Sequence, residues 1–294
     1  MAMDEPHSGL RGRSLEDYVN AASRGLPIMP HIATEVARIA SDPNASLEEL
    51  RNLVDRDPAL TACMLKMSNS PLHGFPNQIQ SLAVAFTLLG REAVRNMVLA
   101  MSMQHTYTRF GLMEKLLWKH ATVAAPVASR LAEHPSIKLD SREAFTAGML
   151  HDIGKTALAN SFPDQYEAVM MRVYNETTSF VKVELEHFGF DHAELGARVA
   201  QEWGVPEKIV SVIRHHHDPD ALATLPEDVA QLTALVSLAT ACLTRLGVGR
   251  REPVESLDIA SLPAWDFLGL EANEVDRVLL VCRQEIQMNR GVLD

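Results

Sequence analysis

His151 and Asp152 stand side by side in the stretch Leu150-His-Asp-Ile-Gly-Lys155. An imidazole nitrogen beside a carboxylate oxygen is a donor pair suited to a borderline or hard divalent ion such as Fe, Mn or Zn. On a helix, neighbouring side chains diverge by about 100°. Both can reach one ion only if it lies against the helix, between them. Alone the pair says little, because adjacent His and Asp are common and usually face solvent. Its company says more. His192, in Phe190-Asp-His-Ala-Glu-Leu-Gly196, opens a helical segment. His215-His216-His217 closes another, because the Asp218-Pro219 that follows stops it. His120, in Leu117-Trp-Lys-His120, rides a long apolar helix. One histidine on an apolar face is ordinarily a satisfied core residue. Several at the ends of separate helices, between residues 120 and 217, point to one shared pocket.

The elements that must position these groups all read as helices. Apolar residues recur at three- and four-residue spacing, as in Ile32, Val36, Ile39 and Leu82, Ala85, Phe86, Leu89. No segment sustains a period-2 alternation. Ser46-Leu-Glu-Glu49 is a capping box, and Asp57-Pro58 opens the next helix with Pro in its first turn. Long helices are expected over 92–109 and 114–133, and 141–150 leads into the His-Asp pair. Further helices are expected near 163–175, 178–188, 191–203, 206–217, 227–246 and 271–289. Residues 1–17 read as a flexible lead. Residues 18–110 then form an N-terminal helical lobe and 111–220 a second lobe. Residues 221–294 are C-terminal helices packed on the second, with a homodimer face as the alternative for their apolar stripe Val275, Val278, Leu279 and Cys282.

Bulk composition bounds the function. The chain has 294 residues, 47% hydrophobic and 22% charged, as in an ordinary globular protein. Its formal charge is −11 with acids spread throughout, which repels phosphate backbones and argues against direct nucleic-acid binding. Residues 1–14 lack the apolar run of a signal peptide, and no apolar run reaches the ~18 residues of a membrane span. Cys63, Cys242 and Cys282 are scattered and odd in number, which fits a reducing cytoplasm.

Taken in order, His120, His151-Asp152, His192 and His216-His217 resemble the metal-binding series of the HD superfamily of phosphohydrolases, most fully its HD-GYP branch. The wider context resembles the HDOD family. The matching stretches include Leu26-Pro-Ile-Met-Pro30, Ser41-Asp-Pro-Asn-Ala-Ser46, Leu65-Lys-Met-Ser-Asn-Ser-Pro71, Ala147-Gly-Met-Leu-His-Asp-Ile-Gly-Lys155 and Arg214-His-His-His-Asp-Pro219. The resemblance spans residues 20–220 and implies an all-α fold, a helical bundle of the HD-domain type with an added N-terminal helical lobe. It also implies two ions about 3.5–4 Å apart that share a bridging carboxylate and activate water for in-line attack on phosphorus. Asp152 is then the bridge. His120 and His151 face one ion, and His192, His216 and His217 the other. Lys155, one turn past His151 if the helix continues, faces a substrate phosphate.

Two departures weaken that implication. HD hydrolases take a late aspartate from a following helix. In Val236-Ser-Leu-Ala-Thr240 that place falls to Thr240, and no Asp or Glu occurs from Val229 to Gly249. A neutral hydroxyl balances divalent charge poorly. The Gly-Tyr-Pro element of the HD-GYP branch is also absent after His217. The favoured expectation is therefore a regulatory HDOD module acting through a signalling protein supplied in trans, since no receiver or kinase segment is expected within this chain. Its degenerate site holds at most one metal. The alternative is a metal-dependent phosphohydrolase with a nucleotide or phosphate-ester ligand, in which Asp152 and Lys155 are catalytic. A third reading makes the metal structural.

Overall fold

The structure is a computed structural model that describes residues 14–23, 35, 39, 46–69, 75, 77–102, 111–176, 178–203, 205–250 and 252–288. The stretches Leu26–Pro30 and Ser41–Ala45, most of the loop at 70–76, His105 and the break at Phe110 lie outside the described residues.

The fold is all-α, and every regular element among the described residues is helical. Helix α1 (Leu15–Ala22) corrects the expected lead to residue 17. Ser14 and Asp17 form a reciprocal capping box, with Ser14 N donating to Asp17 Oδ2 at 2.8 Å, and Tyr18, Val19 and Ala22 are buried. Helix α2 (Leu47–Val54) starts at the expected box, Ser46 N donating to Glu49 Oε2 at 2.7 Å. Helix α3 (Pro58–Ser68) starts where Asp57 Oδ1 accepts from Leu60 N at 2.9 Å. Helix α4 (Leu82–Ser102) is two helical stretches joined at a kink at Gly90, whose φ of 75° and ψ of 171° are non-helical, so the second stretch starts at Arg91, one residue before the expected Glu92.

Helices α5 (Leu112–Leu131) and α6 (Ser141–Leu150) form the most extensive helix pair. After them come α7 (Ile153–Ser161), α8 (Pro163–Glu176), α9 (Phe180–Phe188), α10 (His192–Glu202) and α11 (Glu207–His215). A 3₁₀ turn at Pro219–Ala223 leads to α12 (Glu227–Arg245), the short α13 (Pro263–Phe267) and α14 (Val275–Met288). Helix α12 is the central staff. Its Leu232, Leu235, Val236 and Leu238 are fully buried, and it touches α5, α6, α11, α13 and α14. The stripe Val278, Leu279 and Cys282 of α14 packs inward, against α5 and α12. No described helix is long and apolar enough to cross a membrane.

One close approach sets the geometry of the site. Helices α7 and α10 touch backbone to backbone at Gly154 and Gly196. A Cβ on Gly154 would overlap the carbonyl oxygen of His192 and lie 2.9 Å from Gly196 N. Glycine is therefore required sterically, and the contact brings the chain after Asp152 against the first turn that carries His192. Gly154→Ala is expected to push the two helices apart at an overpacking cost of about 1–3 kcal/mol. Denaturant unfolding reads the loss of stability. Metal retention after gel filtration reads the separation of Asp152 from His192, and should fall with it.

Candidate metal centre

Helix α6 ends at Leu150. His151 is its C-cap, and Asp152, at φ −100° and ψ 16°, is the N-cap of α7. The helix does not run through the pair, as the reading of Lys155 supposes. The chain turns between the two residues, and this turn lets both side chains face one interior point. Lys155 sits in the first turn of α7 and still reaches it, with Nζ donating to Asp152 Oδ2 at 2.7 Å and lying 4.4 Å above the Phe180 ring.

All six expected ligand-type residues and Lys155 come together around the Asp152 carboxylate. Oδ1 lies 3.2 Å from His192 Nε2 and 3.6 Å from His216 Nε2. Oδ2 lies 3.4 Å from His151 Nε2 and 3.7 Å from His120 Nε2. His217 is more exposed and closes the rim, its Nε2 3.2 Å from His192 Nε2. Two donor groups result, each able to hold an ion: Asp152 with His192, His216 and His217, and Asp152 with His120 and His151.

The far nitrogens of these rings are pinned. His151 Nδ1 donates to Gly148 O at 2.7 Å, and His216 Nδ1 to Ile213 O at 2.8 Å. His120 Nδ1 meets Val248 O at 3.4 Å. A carbonyl can only accept, so each Nδ1 carries the proton and each Nε2 turns a lone pair inward. His120 Nε2, His151 Nε2, Asp152 Oδ1 and His216 Nε2 are buried without a hydrogen-bond partner. Buried acceptors left unpaired are costly. A bound divalent ion would satisfy them, and the mixed nitrogen and oxygen donors fit one.

Burial lowers the His120 pKa to about 3 and that of His216 to about 4, so both are neutral ligands at pH 7. Burial alone would raise Asp152, but the Lys155 ammonium beside it holds it well below the carboxylate range. Burial would lower His192 too. There the carboxylate of Glu184 outweighs it, and the pKa rises to about 9.

Glu184 is the largest omission of the sequence reading. It is fully buried in α9, accepts from His192 Nδ1 at 2.6 Å and from His192 N at 2.9 Å, and takes a hydrogen bond from Tyr166 Oη at 2.7 Å. A carboxylate behind a ligating imidazole fixes its orientation and raises its basicity. The signal was present, because Glu184 interrupts an i, i+4 stripe between Phe180 and Phe188. The segment Val248-Gly249-Arg250, which closes the site over His120, left no such signal. Thr240 lines the cavity beside His120 and Asp152, at the place expected of the late aspartate, but its Oγ1 donates to Val236 O at 2.9 Å. Other titratable groups lie elsewhere: His134 pairs with Glu274 at 3.0 Å, and Cys242 and Cys282 are buried free thiols. Asn69 is spent on Ile79, whose N–H donates to its Oδ1 at 2.7 Å.

A family model described as the HDOD domain matches residues 26–219. The chain belongs to the HDOD family. The solved MmoQ response regulator of Methylococcus capsulatus is similar to this HDOD chain at 25% identity. The likeness covers 87% of this chain and 98% of that one, with a TM-score of 0.65. An HDOD domain protein of Geobacter sulfurreducens shares the fold at 24% identity and TM-score 0.55, over 96% and 99% of the two chains. Ribonuclease Y of Thermus thermophilus is 31% identical over 157 residues, 52% of this chain and 21% of its own length. The chain spans 41% or less of the length of the curated relatives it matches.

The metal-free HDOD protein should show a bell-shaped stability profile. His192 has a folded pKa of about 9 against about 6.5 unfolded. Its contribution is complete below pH 6.5 and is lost as pH rises through 9. His120 and His216, at about 3 and about 4, take up protons more readily when unfolded, so stability falls as pH drops below 6.5. Melting temperatures in the presence of chelator across pH 4–10 test this. Glu184→Gln should flatten the alkaline limb, leave the acid limb, and weaken metal affinity by about 10–100-fold.

Proposed function

We propose that this protein is a regulatory HDOD module whose centre holds one divalent ion, Fe, Mn or Zn, and whose state is read by a signalling protein supplied in trans. One observation carries the reading: the charge balance at Asp152. Its Oδ1 faces His192, His216 and His217, and the one positive charge there is the His192 proton, which a bound ion would displace. Its Oδ2 already accepts the Lys155 ammonium at 2.7 Å, and among the described residues the side with His120 and His151 has no second carboxylate, because Thr240 stands there with its hydroxyl turned to its own helix. A second dication would meet the buried ammonium with one shared carboxylate to offset both, and in a low-dielectric interior that repulsion is large. His192, His216, His217 and Asp152 would hold the ion, which would supply Lewis-acid polarisation of a bound oxygen. The likeness to a protein described as a response regulator supports the same reading. The net charge of −11 supports a protein rather than RNA as partner. Buried free thiols support a cytoplasmic setting.

A second reading is a metal-dependent phosphohydrolase. The inward-turned, unpartnered nitrogens favour it, and relatives named Ribonuclease Y match about half of the chain. In it Asp152 would serve both donor groups, and Lys155 would face the phosphate of a nucleotide or phosphate ester.

Metal analysis of protein purified without chelator decides between them. The regulatory reading expects no more than one equivalent, and hydrolysis of bis(4-nitrophenyl) phosphate at background with added Mn. Thr240→Asp should then raise the uptake to two equivalents. Turnover by the unaltered protein that vanishes in the His151→Ala, Asp152→Ala double variant would instead establish the hydrolase.

A further inference from the structure

Beside Asp152 lies a cavity of about 120 Å³ whose charged lining residues are Asp152, Lys155 and Arg250. Two cations to one acid is a local excess of positive charge in a chain of net charge −11. The Lys155 ammonium is spent on Asp152 and on the Phe180 ring. Arg250 is not spent. It is half-buried, donates one 3.3 Å hydrogen bond from Nη2 to Thr178 O, and forms no ion pair with a carboxylate among the described residues. Four further N–H donors remain on a planar fork shaped for oxyanions.

The backbone that carries Arg250 is held in place. Gly249 has φ 71°, and a Cβ there would lie 2.9 Å from His120 Cβ. Its carbonyl accepts from Tyr174 Oη at 2.8 Å, and Val248 O receives His120 Nδ1. Arg250 is therefore presented at the cavity by a loop fixed against the metal-centre histidine, so little ordering is left to the moment of binding.

A second cavity, about 260 Å³, adjoins the first and shares His217, Thr240 and Thr244 with it. Leu222, Ala241, Leu257, Leu262 and Pro263 make it mainly apolar. Its Ser237 and Thr240 hydroxyls are committed to His216 O and Val236 O. It can shelter an apolar body and has little with which to read a polar one.

We infer that the ligand of this site is a phosphomonoester with an apolar, aryl-like body, gripped at its phosphate by Arg250 and seated in the cavity against α12. Both Arg250 and most of the second cavity come from the segment after residue 219, beyond the span matched by the family. The inference deepens the regulatory reading by naming the ligand, and rests on it only in taking occupancy as the signal.

Isothermal titration of the full chain with its metal bound tests it, using 1-naphthyl phosphate, inorganic phosphate and 1-naphthol. The expected result is naphthyl phosphate binding at least tenfold more tightly than either fragment. Arg250→Ala should weaken naphthyl phosphate about tenfold without changing melting temperature or metal content, and Arg250→Lys should recover part of the loss. Ala241→Leu, which fills the second cavity, should weaken naphthyl phosphate while inorganic phosphate binds as before. Equal binding by Arg250→Ala and the unaltered chain, or by inorganic and naphthyl phosphate, overturns the inference. Two equivalents of metal with Arg250-dependent binding intact would strike the regulatory reading and leave this one standing. One equivalent with no naphthyl phosphate binding would do the reverse.

Discussion

A buried carboxylate with two differently occupied oxygens organises this protein. Asp152 is held ionised in the interior, where an unpaired charge costs several kcal/mol, and the Lys155 ammonium and the protonated His192 offset that cost. Lys155 from α7 takes Oδ2, and imidazoles from α5, α6, α10 and α11 surround both oxygens. Four buried ligand atoms remain unpaired after those contacts are made. The centre is thus a compromise that satisfies the acid and leaves donors open for an ion.

The supports of this centre extend outward in layers. His192 is held from behind by Glu184, and Glu184 by Tyr166, so the orientation of one imidazole depends on α8 and α9 as well as on its own helix. The glycine contact between α7 and α10 fixes the separation across which Asp152 and His192 face each other. The loop after α12 packs Gly249 on His120 and sets Arg250 beside the cavity. The segment beyond the HDOD match is thereby part of the wall of the site.

Charge balance also frames the functional choice. The histidine donors are those expected of a two-ion centre, but number of donors and capacity for charge are different properties. With Thr240 neutral and Lys155 cationic, the side of Asp152 facing His120 and His151 is poorer in negative charge than its donor count suggests. Among the described residues the same shortage of acid leaves Arg250 without a carboxylate and the cavity with excess positive charge, a property suited to an anionic ligand.

Helix content was legible in the residues because its causes are local. The three- and four-residue apolar spacing, the box at Ser46-Glu49 and the stop at Asp218-Pro219 act within a turn or two of chain. Even the misjudged start of α1 had a local sign, in Ser14 and Asp17. The identity of the donors was legible too, since imidazole and carboxylate chemistry belongs to the side chain. Partition was anticipated only through resemblance to a family. That His120 and His151 share one oxygen of Asp152 while His192 and His216 share the other is settled by the turn at residues 151–152 and by helices meeting across long stretches of chain. Glu184, Gly249 and Arg250 gained their places in the same way. Their neighbours at the site are distant in sequence, and only packing decides which distant groups meet.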